Sequence, residues 1–91
     1  MYYAYILKSD KDKGLYIGYT TDLKSRLNLH KTGKVISTKN RRPVKLIYYE
    51  SYINMTDAKK REVFLKSGSG HRFIKKQLAN YFKQSCELII K

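Results

Sequence analysis

With 91 residues the chain has room for one small domain and none for a second. Hydrophobic residues make up 42%, too many for a disordered tail and enough for an economical globular core. Twenty Lys and Arg against seven Asp and Glu leave a formal net charge of +13. Such a surplus repels itself in a compact fold and calls for a polyanionic partner, nucleic acid first. An anionic membrane surface is the rival, but its usual form is one basic amphipathic helix, and here the charge is spread along the whole chain. The single cysteine, Cys86, excludes an internal disulfide and a zinc site built from cysteines, and it suits a reducing cytoplasm. The opening run from Met1 to Lys8 is too short for a signal peptide and lacks a basic leader, and no segment approaches a membrane span. A soluble, cytoplasmic protein is expected.

Residues 2–7, aromatic and β-branched, predict a strand that the polar run Lys8 to Gly14 ends. Residues 15–19 predict a second strand, paired to the first as an antiparallel hairpin. Tyr3, Tyr5 and Leu7 alternate with Ala4 and Ile6, so the first strand is apolar on both faces and is expected to be covered on both. Thr21 or Asp22 caps a helix over residues 23–31, which Gly33 stops. Residues 34–43 read as a basic loop carrying Lys34, Lys39, Arg41 and Arg42 among Ser37, Thr38 and Asn40. The longest strand candidate covers residues 44–53. Asn54 or Thr56 caps a second helix over about residues 57–66, which ends at Ser67-Gly68-Ser69-Gly70, read as a C-cap followed by a new N-cap. A third helix starts near His71, with Phe73, Ile74, Leu78, Tyr81 and Phe82 on its apolar face. Residues 86–91 suit helix and strand equally. The order β-β-α-β-α-α predicts an α/β (α+β) domain over residues 1–91, a small antiparallel or mixed three-stranded sheet flanked by three helices.

Polar residues stand where apolar ones belong. On the first helix Leu23, Arg26, Leu27 and His30 share a sector of roughly 100°, and the two leucines are its main anchors. Arg26 and His30 therefore lean toward the sheet, where an arginine is costly unless something anionic meets it. Arg26 could pair with an internal carboxylate and His30 with backbone; the alternative is that both serve a ligand, and spare carboxylates are scarce. On the second helix Glu62 shares a side with Ala58 and Leu65, and could equally form a solvated pair with Lys66 or Lys59. Tyr16 precedes Ile17-Gly18, and a glycine within a strand often marks close approach of a backbone or ligand. There is no P-loop and no H-E-x-x-H, and His30 and His71 are too far apart in sequence to suggest a metal cluster.

Taken in order, Tyr3-Ala4-Tyr5, Tyr16-Ile17-Gly18, Arg26, His30 and Glu62 resemble the motifs of a GIY-YIG endonuclease domain, over nearly the full length. The run Arg42 to Tyr48 is similar to short stand-alone bacterial members. The first motif departs from the family pattern, with Tyr3 and Ala4 in place of its Gly and Ile. Many members carry an asparagine after the glutamate, and Asn80, on or beside the apolar face of the third helix, is the one candidate. The resemblance implies a three-stranded sheet flanked by helices and hydrolysis of a phosphodiester dependent on a divalent metal, Mg²⁺ or Mn²⁺. It implies Glu62 as the metal's protein ligand, Arg26 as the group holding the scissile phosphate, and Tyr16 as base or water-orienting group. A phenol ordinarily keeps its proton at neutral pH, so that last role needs nearby cations. Tyr5 and His30 become supporting hydrogen-bond partners. The expected activity is a DNA endonuclease, with branched or damaged DNA among the candidate substrates and Lys34, Lys39, Arg41 and Arg42 contacting nucleic acid; specificity would come from shape, from that loop or from a partner protein. A nucleic-acid-binding module with weak or lost catalysis, and an interaction module docking an acidic protein, are the alternatives.

Overall fold

A computed structural model describes residues 1–90, with side chains described through residue 84. The elements run β1 (Tyr2–Ser9), β2 (Leu15–Thr20), α1 (Leu23–Lys31), α2 (Ile36–Lys39), β3 (Val44–Tyr52), α3 (Met55–Lys66), α4 (Gly68–Gln77) and α5 (Ala79–Ile90). The three strands form an antiparallel sheet in the order β2-β1-β3. The strand expected to be covered on both faces is the central one, and residues 4–9 are all buried. None of the described helices is long and apolar enough to cross a membrane.

Successive side chains of a strand point to opposite faces, so β1 divides the molecule in two. Ala4 and Ile6, with Ile17 of β2, meet Leu65 of α3 and Ile74 of α4 in the hydrophobic core. Tyr5 points the other way, toward α1. The core face also carries an ion cluster. The Glu50 carboxylate accepts from Arg61 Nε at 2.8 Å and Nη2 at 3.1 Å, and from the Tyr48 and Tyr52 hydroxyls. Arg61 in turn lies over the rings of Phe64 and Phe73, 4.8 and 4.6 Å from their centroids. Burial works to raise the Glu50 pKa, but the hydrogen bonds from Arg61 and the two phenols outweigh it and hold the carboxyl below its ordinary value. This cluster fastens α3 to β3.

Helix number and boundaries differ from the sequence-based expectation. The basic segment 34–43 contains a helical turn, α2. The expected third helix is two: α4 starts at Gly68, and a break at Leu78 separates it from α5. Gly68-Ser69-Gly70 is therefore not the junction itself but the first turn of α4, and Ser67 is its cap, accepting from Gly70 N. The reason is contact: a Cβ on Gly70 would lie 2.0 Å from the Phe64 carbonyl oxygen and 2.5 Å from Leu65 Cα. A glycine there lets α4 turn back tightly on α3. The undecided stretch 86–91 is helical through Ile90; Lys91 and the Cys86 side chain lie outside the described residues.

Because both atoms it would strike are backbone, Gly70→Ala should cost about 1–3 kcal/mol through overpacking. A urea midpoint unchanged from wild type would show that α3 and α4 are not in register as described.

Candidate active site

Four of the five residues singled out in the sequence converge on the α1 face of the sheet. Tyr5 is fully buried at the middle of β1, opposite Gly18 of β2. A Cβ on Gly18 would lie 2.5 Å from both Cζ and Oη of Tyr5, so the glycine is the space the phenol crosses. Tyr16, two residues earlier on β2, faces the same side, its ring centroid 6.3 Å from that of Tyr5 and 5.0 Å from that of His30. Asp22 caps α1, accepting from Ser25 N, and sets where the helix begins. One and two turns on, Arg26 and His30 reach the phenols.

These groups form one hydrogen-bonded chain. Arg26 Nε donates to Tyr5 Oη at 3.4 Å, Tyr5 Oη meets His30 Nε2 at 2.8 Å, and His30 Nδ1 meets Thr38 Oγ1 at 2.8 Å. A guanidinium can only donate. The Tyr5 proton then goes to Nε2, which leaves Nδ1–H to donate to Thr38. His30 is 1% exposed, and burial, reinforced by the Arg26 charge, lowers its pKa to about 4. At neutral pH the imidazole is uncharged, as this chain requires. Burial raises the Tyr5 pKa despite the hydrogen bond from Arg26, so this phenol stays protonated. The Arg26 guanidinium is held protonated, first by its hydrogen bond to Tyr5, and it lies beside Tyr16 as well. The internal partner of Arg26 is thus a phenol rather than a carboxylate, and that of His30 is two side chains rather than backbone.

Tyr16 and Arg26 are only partly buried. They present a phenol and a guanidinium to solvent from a rigid, fully bonded base. A cation so placed can bind and polarise a phosphate.

Glu62 stands apart from this chain. It lies on α3, which covers the opposite face of the sheet, and its carboxylate forms an ion pair with Lys66 Nζ at 3.4 Å, the i,i+4 pair that its sequence allows. Lys59, one turn earlier, sits over Tyr19 of the edge strand β2, 5.3 Å from the ring centroid. Among the described residues no group of three or more His, Cys, Asp or Glu could hold a metal. A lone hard carboxylate suits a cation such as Mg²⁺ that keeps several waters and takes substrate phosphate as a ligand. Asn80 is exposed at the start of α5.

The basic segment divides. Lys34 and Lys39 point to solvent. Arg41 pairs with Asp12 at 2.8 Å, pulling that carboxyl down to about 2, while its carbonyl accepts from the Ser9 hydroxyl at 2.6 Å. Arg42 Nε donates to the Lys39 carbonyl at 3.0 Å. The two arginines fold the segment back on itself and onto the β1–β2 turn, and the result is that fully buried Thr38 on α2 reaches His30. Sequence reasoning missed this residue: eight positions after the histidine, in a polar run, nothing distinguishes Thr38 from Ser37.

Thr38→Val keeps the shape and leaves Nδ1–H unpartnered in the interior, which should cost about 1–3 kcal/mol, while Thr38→Ser should keep most of the stability. Urea unfolding of both variants checks it; equal stability of Val and wild type would break the chain at its last link. The lowered His30 pKa has a sign. The unfolded imidazole binds a proton near pH 6.5 and the folded one only near pH 4, so this contribution is complete above pH 6.5 and is lost as pH falls toward 4. Over that window wild type should lose on the order of 3 kcal/mol more than His30→Gln does. Parallel pH dependences of the two proteins would refute it.

Comparison with known proteins agrees with this architecture. The family model of the GIY-YIG catalytic domain matches residues 1–81. Among similar chains, UPF0213 protein SH2523 of Staphylococcus haemolyticus is 41% identical over 75 residues, 81% of this chain and 90% of its own. UPF0213 protein YsiG of Lactococcus lactis is 42% identical over 83 residues, 90% of this chain and 75% of its own. UPF0213 protein OB0043 of Oceanobacillus iheyensis is 37% identical over 84 residues, covering 91% and 94%. No solved structure is a significant match. The chain belongs to the GIY-YIG family of nuclease domains.

Proposed function

We propose that this protein is a divalent-metal-dependent endonuclease that hydrolyses phosphodiester bonds in DNA. The observation that carries the reading is the partly exposed pair Tyr16 and Arg26 fixed on the buried chain Tyr5–His30–Thr38. A binding module has no need to desolvate an imidazole in order to hold one arginine still; a reaction whose transition state gathers charge on a phosphate does.

Arg26 holds the scissile phosphate and meets the charge that develops on its oxygens. Tyr16 Oη hydrogen-bonds the attacking water and orients it toward phosphorus. Tyr5 and His30 do not touch substrate; they fix the guanidinium, and His30 keeps the Tyr5 proton pointed inward. Glu62 would hold Mg²⁺ or Mn²⁺, which when bound would supply positive charge to polarise the phosphate. Because α1 and α3 lie on opposite faces, Arg26 and Glu62 can meet one phosphate only around the open edge of β2, so the scissile strand lies along that edge. Lys34 and Lys39, and the surplus positive charge generally, supply salt-sensitive affinity for the backbone.

A non-catalytic nucleic-acid-binding module is the second reading, and the Glu62–Lys66 pair favours it, since it gives the glutamate a structural partner.

Nicking of supercoiled plasmid and cutting of labelled branched DNA with Mg²⁺ or Mn²⁺, with EDTA controls and a matched RNA, separates the two. Glu62→Ala should abolish cutting, by a factor of about 10³ or more, while DNA binding stays or tightens as a negative charge leaves. Arg26→Ala should weaken both. Cutting by Glu62→Ala at the wild-type rate would sink the metal role, and salt-sensitive binding with no metal-dependent cutting would leave the binding module.

A further inference from the structure

On the Tyr5 face the seam between α1 and β3 is only partly filled. Helix α1 has few apolar anchors: Leu23 and Leu27 are half-buried, Leu29 is exposed, and the deepest side chain is His30. The helix sits over Tyr5 and Tyr16 and approaches β3, but its few apolar side chains do not fill the seam against that strand. Two concavities line this gap and share Leu27. One, near the start of α1, is bounded by Tyr3, Tyr49 and Lys24. The other, of about 560 Å³, has Leu7 and Leu46 among its walls, His30 beside them, and Lys31 and Arg42. That volume is in the range of small-molecule sites.

Register places this groove against the candidate active site. Tyr49 of β3 is the partner of Tyr5, and a shift of register between Ile6 and Leu7 puts Leu46 opposite Leu7. Tyr49 is 53% exposed, its ring 6.2 Å from that of Tyr3 and tilted by 60°. A large aromatic surface left in water on a sheet face is unusual where tyrosines otherwise pack. Here it shares its concavity with Leu23, Leu27 and Lys24, while Lys31 and Arg42 line the neighbouring one, and the Asp22 carboxylate beside Tyr49 is engaged in capping α1.

We infer that the groove between α1 and β3 binds an unpaired segment of nucleic acid, one base stacking on Tyr49 and the backbone following Lys24, Lys31 and Arg42. An apolar floor with a half-exposed aromatic ring suits a base, and cations at the margin suit its phosphates. A duplex hides its bases in the stack, so it gains from the cations and not from the ring. The inference rests on the nuclease reading for its meaning: it names the substrate as one with a single-stranded portion, held across α1 from the β2 edge where the scissile strand lies.

The test is fluorescence anisotropy in EDTA at fixed salt, with a labelled 12-nucleotide single strand, the same strand annealed to its complement, and an abasic strand of equal length. Wild type should bind the base-bearing strand more tightly than the abasic one. Tyr49→Ala should weaken single-strand binding by about 5- to 100-fold, the effect of one lost stack, with duplex and abasic binding within about twofold. Tyr49→Phe should retain wild-type affinity. An unchanged single-strand affinity in Tyr49→Ala, or an equal loss on all three probes, would overturn the inference. Since no metal is present, the result is independent of cleavage: metal-dependent nicking by wild type without base discrimination removes the groove and leaves the nuclease, and discrimination without nicking does the reverse.

Discussion

The structure depends on a buried phenol. Tyr5 occupies the centre of the central strand, where an apolar side chain would be the simple choice, and a polar group without a partner there would be costly. The fold removes that cost by extending the chain of bonds outward at both ends, to Arg26 at the solvent boundary and through His30 to Thr38. Each link constrains the next. Gly18 must be bare for the ring to lie flat, α1 must begin at Asp22 for Arg26 and His30 to arrive in phase, and segment 34–43 must fold back for Thr38 to arrive at all.

That chain accounts for the unequal faces of the sheet. On the α3 and α4 side the elements are held by the apolar core and by the Glu50–Arg61 cluster. On the α1 side little apolar surface is available, and the polar chain does much of the work of attaching the helix. A fully satisfied network of this kind specifies one geometry, whereas an apolar interface tolerates sliding. The cost is that the same residues serve stability and site, so loss of His30 or Thr38 changes both. It also gives the helix little apolar surface to set against β3, which is why the seam between them is only partly filled.

Much of this was legible in the residues. Alternation of apolar residues on both faces of residues 2–7 marked the central strand, and the phase of Arg26 and His30 with two leucines showed that they turn inward. Glu62 was ambiguous between buried side and solvated pair, and it is both: half-buried and bonded to Lys66. The rest was not legible, because it depends on contacts distant in sequence. Arg41 looked like a free cation, and only folding brings Asp12 beside it, 29 residues away. Glu50 and Arg61 are 11 residues apart on a strand and a helix, and only the packing of β3 on α3 brings them together. The break at Leu78 leaves an apolar periodicity that runs through it, since Phe73, Ile74, Leu78 and Phe82 still face one core.

The two half-buried glutamates show why the proposed metal role falls to one of them. Their side chains are almost equally exposed, 20% for Glu50 and 21% for Glu62. Glu50 is committed: a bidentate arginine and two phenols saturate its oxygens, and withdrawing it would strand Arg61 among aromatic rings. Glu62 has one described partner, Lys66, whose side chain is 55% exposed, and an ion pair of that kind contributes only about 0–1 kcal/mol. Lys66 can return to water at little cost, so Glu62 can turn toward a cation without disturbing the core that Leu65 and Ala58 build around it. A carboxylate held loosely by an exposed ammonium, on the helix whose Lys59 reaches Tyr19 of the edge strand β2, is a reserve that the rest of the fold does not consume.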